Sequence, residues 1–229
     1  MQETNLFEEI LKIKFNNQDL LKQALIHRSY LNEHADFALG HNERLEFLGD
    51  AVLELIVTEN LYQNYPNPEG EMTNWRASLV NAKMLAEIAH SLNVEKFLFL
   101  SKGEAKDKNP KARNYILANA MEAVIGAIYL DQGFEVVKKF ILENIVIKLP
   151  AILANKSYVD AKSRFQEMAQ EETGVTPSYI VLEESGPDHN KKFIIGVYLE
   201  DELIAKGEGT SKQEAQMAAA EEGLKVKNW

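Results

Sequence analysis

The chain has 229 residues and no cysteine, with 45% hydrophobic and 26% charged residues, the balance of a globular protein built as one large domain or two smaller ones. Without thiols it forms neither disulfides nor thiolate metal sites, and no apolar run reaches the roughly 20 residues that span a bilayer. A formal charge of −10 weighs against a protein held on nucleic acid by its overall field, so any polyanion must be met by a local patch or through a metal ion. The N-terminal stretch MQETNLFEEI is acidic and lacks a signal-peptide core, which points to a cytoplasmic protein with no membrane partner.

Residues 3–153 read as helices throughout. LFEEILKIKF, NQDLLKQALIH, the long stretch after His41, MTNWRASLVNAKMLAEIAHSL, NYILANAMEAVIGAIYLDQG and FEVVKKFILENIVIKL all carry apolar residues three and four apart, the spacing of a helix face. Breaks fall at NYPNPEG (64–70), KDKNP (106–110) and DQG (131–133), with Gly133 and Pro150 expected as helix stops. After NKSYVD (155–160) the pattern changes. AKSRFQEMAQEETG is helical and ends at Gly174; PSYIVLEES, KKFIIGVYLE and DELIAKGEGT read as strands; SKQEAQMAAAEEGLKV closes the chain as an Ala-rich helix. GPDHN and a tight turn near Glu200–Glu202 separate the strands. The expected architecture is an all-α domain over 1–154 followed by a small α+β domain, ordered α-β-β-β-α, over 155–229.

The stretch HNERLEFLGDAVLEL, from His41, places Glu43, Glu46 and Asp50 in a helix that is apolar almost all round and so expected to be largely buried. At about 100° per residue the three acids share one stripe, near 0°, −60° and −20°. Buried carboxylates are costly unless something cationic meets them. A second helix, NYILANAMEAVIGAIYL, repeats the anomaly with Asn119 and Glu122, and its Ala118, Ala123, Gly126 and Ala127 would let another helix approach closely. Facing each other, the two helices would gather four oxygen-bearing side chains. A hard divalent cation relieves their repulsion, and an all-oxygen shell suits Mg²⁺. Such a site can activate water and stabilise charge on a phosphoryl oxygen, the basis of phosphodiester hydrolysis. Neither stripe holds a His, which disfavours zinc. The competing reading is a solvated acidic face, and the second stripe weighs against it.

NERLEFLGDAVL (42–53) resembles the signature of the ribonuclease III family of double-stranded RNA endonucleases, as do ALIHRSY (24–30), PEGEMTNWRASLV (68–80) and ILANAMEAVIGAIYLDQG (116–133). The C-terminal segment resembles that family's double-stranded RNA-binding domain. The resemblance implies a Mg²⁺-dependent endoribonuclease, with Mn²⁺ as a substitute, acting in RNA processing such as that of ribosomal RNA precursors. It implies 5′-phosphate and 3′-hydroxyl ends with a short 3′ overhang, and a homodimer with one active centre per RNA strand. Carried over residue by residue, it makes Asp50 and Glu122 catalytic carboxylates and puts Glu46, Asp50, Asn119 and Glu122 at the metal. Glu43 and Glu69 would line the substrate cleft, and Phe47 would plug a cavity in the partner subunit, against the simpler reading of core packing. Asn119 departs from the pattern, because family members commonly have Asp there. Asn keeps one carbonyl oxygen but gives up a charge, which leaves open a catalytically impaired protein that only binds double-stranded RNA.

For the C-terminal domain the resemblance implies that Gln166 and Glu167 face one minor groove, Pro187 and His189 the next, and Lys212 the phosphates between them. The cationic patch is dilute: Gln213 and Gln216 interrupt it, and residues 155–229 hold 9 Lys/Arg against 14 Asp/Glu. Binding is therefore expected to be modest and sensitive to salt. A nucleotide pyrophosphohydrolase also uses E-x-x-E helices and Mg²⁺, but its second acidic pair would follow within a few turns. The distance from Glu46 to Asn119 is too great, and the C-terminal segment would have no role.

Overall fold

Many of the helices begin where the sequence offers a side chain to an otherwise unpaired backbone N–H. Asn17 accepts from Asp19 N–H, Asn81 from Met84, Ser101 from Glu104 and Asn109 from Lys111 and Ala112, each satisfying donors that the first helical turn leaves free. The computed structural model describes residues 2–155, 158, 160–187 and 191–229. Its contacts divide the chain into two units, Met1–Tyr158 and Val159–Trp229.

In the first unit the helices are α1 (Gln2–Leu11), α2 (Gln18–Ala24), α3 (Arg28–Glu33), α4 (Glu43–Asn64), α5 (Glu69–Val80) and α6 (Ala82–Ser91), then α7 (Lys102–Lys106), α8 (Pro110–Gln132), α9 (Phe134–Asn144) and α10 (Leu149–Ala154). The long α4 and α8 form the centre, with Leu53, Ile56, Leu117, Met121 and Ile125 fully buried around them. They meet backbone to backbone. A Cβ on Gly49 would stand 1.7 Å from the Glu122 carbonyl oxygen, and one on Gly126 would stand 2.3 Å from that of Leu45. Only glycine permits this approach, and it fixes the acids of α4 opposite those of α8.

Several expectations need correction. MTNWRASLVNAKMLAEIAHSL is two helices: Asn81 is extended (φ −73°, ψ 157°) and its side chain caps α6 while its amide donates back to Ala77 and Ser78. Pro150 starts α10 and does not stop a helix, since a first-turn residue needs no N–H donor. The short α3 and α7 escaped a reading based on periodicity. Nor is α4 buried all round, for Phe47 is 81% exposed and Leu55 59%.

In the second unit, α11 (Ala161–Thr173) is capped by Asp160 and ends at Gly174, whose φ of 72° suits glycine. Strands β1 (Ser178–Ser185), β2 (Lys192–Leu199) and β3 (Glu202–Gly209) form an antiparallel sheet in the order β1-β2-β3, and α12 (Lys212–Lys227) follows. The β2–β3 turn carries Glu200 at φ 52°. Phe165, Val197, Ala219, Ala220 and Leu224 make the core between the helices and one face of the sheet. No helix among the described residues is long and apolar enough to cross a membrane.

Candidate active site

The α4–α8 contact brings Glu46, Asp50, Asn119 and Glu122 into one cluster. Asn119 hydrogen-bonds to the Glu46 carboxylate, which opposes an upward push on that carboxyl from burial, then from Glu43 and, less, from Asp50. Glu122 is half-buried and its carboxyl is pushed up to about 8, first by burial and then by the charges of Asp50 and Glu46. Asp50 and Glu43 are exposed, so the stripe on α4 is less buried than its sequence suggests. Among the described residues none of Glu46, Asp50 and Glu122 is paired with Lys or Arg, whereas Glu43 lies 3.7 Å from Arg28.

Acids that raise one another's proton affinity, with no internal cation, form a donor set that fits a hard divalent ion. Among the described residues no three His, Cys, Asp or Glu are drawn together as a finished ligand set.

A cleft of about 560 Å³ opens beside the cluster, lined by Glu43, Glu46 and Asn119 on one side and by His27, Arg28, Ser29, Asn32, Glu104 and Tyr115 on others. Of these, His27, Ser29, Asn32 and Glu104 were not singled out from sequence, since they come from a turn and from short helices with no periodic signal; Tyr115 was not either, although it lies within the periodic α8. Buried Asn42, which donates to Ala24 O at 3.2 Å, ties the start of α4 to the end of α2 and holds this wall.

The other expected residues lie elsewhere. Glu69 is not part of the cluster within one chain; it is exposed in the first turn of α5, takes a hydrogen bond from Thr73 and lines a separate cavity with Tyr62 and Arg76. Phe47 rims a cavity of about 630 Å³ lined also by Leu20, Leu45, Leu48 and Leu130, so core packing does not describe it. In the second unit Gln166 and Glu167 are exposed on α11, Pro187 is exposed, and Lys212 opens α12 with its ammonium 5.8 Å from the centre of the Phe193 ring. His189 lies outside the described residues.

Residues 17–149 match the family model described as Ribonuclease-III-like, and residues 161–227 match the double-stranded RNA binding motif. The chain belongs to the ribonuclease III family. It is 42% identical over 218 residues to Ribonuclease 3 of Dehalococcoides mccartyi, covering 95% of this chain and 92% of that one. It is 45% identical over 219 residues to Ribonuclease 3 of Syntrophomonas wolfei, with the same two coverages. The solved nuclease domain of ribonuclease III from Campylobacter jejuni superposes with a TM-score of 0.56 at 40% identity, covering 66% of this chain and 98% of that domain. As a ribonuclease III family member, the chain is an endoribonuclease with a helical nuclease domain followed by a double-stranded RNA binding motif.

Proposed function

We propose that this ribonuclease III family protein cleaves double-stranded RNA with a divalent metal, Mg²⁺ in the cell, at the cluster of Glu46, Asp50, Asn119 and Glu122. The observation that carries the reading is the Glu122 carboxyl raised to about 8 by burial and by two neighbouring acids, a charge arrangement that a cation relieves. When bound, such an ion activates water and offsets charge developing on the phosphate. The chain's own contribution is positional. Asp50 and Glu122 are the catalytic carboxylates, Glu46 completes the anionic ligand set, and Asn119 offers an amide oxygen when its hydrogen bond to Glu46 rearranges. Glu43 borders the substrate cleft. The products carry 5′-phosphate and 3′-hydroxyl ends, and structured precursors such as those of ribosomal RNA are the natural class of substrate.

Two copies work together in this reading. An exposed Phe47 beside an apolar cavity on the same face supports a twofold contact, in which each aromatic ring enters the other copy's cavity. The second unit anchors the duplex through the exposed Gln166 and Glu167, through Pro187 and His189, and through Lys212 at the start of α12. Asn119 supports a second reading, because its amide already occupies Glu46 and adds no charge: an enzyme starved of metal at ordinary Mg²⁺ that acts mainly by binding duplexes. End-labelled duplex RNA incubated with Mg²⁺ or with a chelator, and run on a gel, tests both. Mg²⁺-dependent cuts with ligatable 5′-phosphates support the first, and intact RNA in a shifted complex supports the second. Cleavage undiminished by chelator would refute the metal assignment.

A further inference from the structure

The imidazole of His27 is locked in one tautomer at the wall of the substrate cleft. Its Nδ1 accepts the Ser29 N–H at 3.3 Å, capping α3, so that nitrogen carries no proton. The Ser29 hydroxyl therefore donates to Nδ1 at 2.8 Å, and its oxygen in turn accepts from Ser101 N–H at 3.1 Å. The loop holding His27 is clamped besides: His27 N–H donates to Phe99 O and Phe99 N–H to Leu25 O. The proton must sit on Nε2, which has no acceptor among the described residues, and the ring borders the cleft. Burial holds the imidazole below its ordinary pKa, with Glu104 the strongest opposing charge, so at neutral pH the ring is a neutral donor.

Glu104 lines the same cleft; the Arg113 guanidinium donates to its main-chain oxygen at 2.8 Å, and among the described residues no ion pair engages its carboxylate. Three carboxylates, Glu43, Glu46 and Glu104, line the cleft against one arginine, Arg28, which lies 3.7 Å from Glu43, so a phosphate, which only accepts hydrogen bonds, is disfavoured beside His27. A hydroxyl both accepts and donates, so it can satisfy a fixed N–H and a carboxylate at once. The hydroxyls that an A-form duplex presents in its wide minor groove are the ribose 2′-OH groups, and DNA lacks them.

We infer that His27 and Glu104 form a subsite for a ribose 2′-hydroxyl near the scissile step, with Nε2–H donating to the hydroxyl oxygen and the Glu104 carboxylate accepting its proton. The subsite lets the nuclease domain itself, apart from the RNA binding motif, distinguish RNA from DNA. The inference rests on the reading of this cleft as the substrate groove.

The test is a scan of duplexes, each with a single 2′-deoxynucleotide at one position around the cut. Binding without metal and the cleavage rate in Mg²⁺ are measured for the full chain and for His27→Asn, which keeps a side-chain acceptor to cap α3 but loses the Nε2 donor. At one position per strand, the deoxy substitution should weaken binding and cleavage by the unaltered chain about five-fold, the size of one hydrogen bond. That penalty should vanish in His27→Asn while penalties elsewhere persist, a pattern that mere loosening of α3 would not produce. If His27→Asn melts early, Glu104→Gln serves as the second variant and should shrink the same penalty. A deoxy profile identical in the unaltered and variant chains, or one with no sensitive position, overturns the subsite. Failure of the full chain to cut with binding intact would sink the nuclease reading alone, because the binding scan still decides the subsite. Loss of duplex binding altogether would overturn both.

Discussion

Glu122 concentrates the tension of the site in one carboxyl group. Its pKa of about 8 in the folded chain stands above the ordinary 4.5, so the folded protein holds this proton more tightly than the unfolded one. The resulting stabilisation is complete below pH ~4.5 and drains away as the pH rises towards 8. In chelator the melting temperature should therefore fall across that window, and Glu122→Gln should remove this part of the decline; a parallel decline in the variant would contradict the assigned environment. The same variant should lower cleavage by more than the roughly 100-fold that follows loss of an outer-shell partner, with duplex binding unchanged. Wild-type turnover by the Gln variant would remove Glu122 from the metal. Asn119→Asp replaces a donor to Glu46 with a fourth negative charge. Without metal the protein should lose about 1–3 kcal/mol of stability, recover it in Mg²⁺, and need less Mg²⁺ for half-maximal cleavage. A melting temperature still depressed in saturating Mg²⁺, with no gain in rate, would show that residue 119 never meets the ion.

At the scale of elements, the site depends on how closely α4 and α8 approach. Gly49→Ala should destabilise by about 1–3 kcal/mol or more, since its methyl meets main chain that cannot rotate away. Cleavage should fall even at temperatures where the variant is folded, because the helices must part and Glu122 moves off Asp50; urea unfolding and a rate at low temperature check the two effects separately. The small face of α8 was legible in the sequence because Ala118, Ala123 and Gly126 recur on a helix that is otherwise apolar. Its counterpart Gly49 was not, since a single glycine inside a helical pattern carries no direction. The acids were legible as stripes, yet their exposure was not: burial of Asp50 and Phe47 depends on which side of α4 receives a neighbour, and three- and four-residue spacing does not encode it. The wall of His27, Ser29 and Glu104 is assembled from segments more than 70 positions apart through turns and short helices. Periodicity says nothing about such contacts.

For the whole molecule, the two units each have a separate core, so the nuclease unit should fold without its companion. A fragment of residues 1–158 should melt cooperatively as a helical dimer and cut duplex RNA only at low salt. The second unit should account for most of the affinity near physiological ionic strength, with a steep loss as salt rises. Unchanged affinity of the fragment at physiological salt would show that the RNA binding motif is not the anchor. The net charge of −10 is compatible with the proposed division, in which contact with the polyanion would be confined to a few cations on one unit and to ions at the other.

The touching backbones of α4 and α8 also bear on how the protein breathes. With no side chains between them at Gly49 and Gly126, neither helix can slip locally without breaking a contact that spans the core. Amide protons of residues 46–53 and 119–127 should then exchange with solvent only when the whole nuclease unit unfolds, in one cooperative class. Amides of the cleft wall around residues 101–109 should exchange through smaller openings. The metal-facing side of the groove would be its slowest part and the ribose-facing side its fastest, so duplexes with imperfect geometry would be accommodated by movement of the wall while the reacting carboxylates stay still.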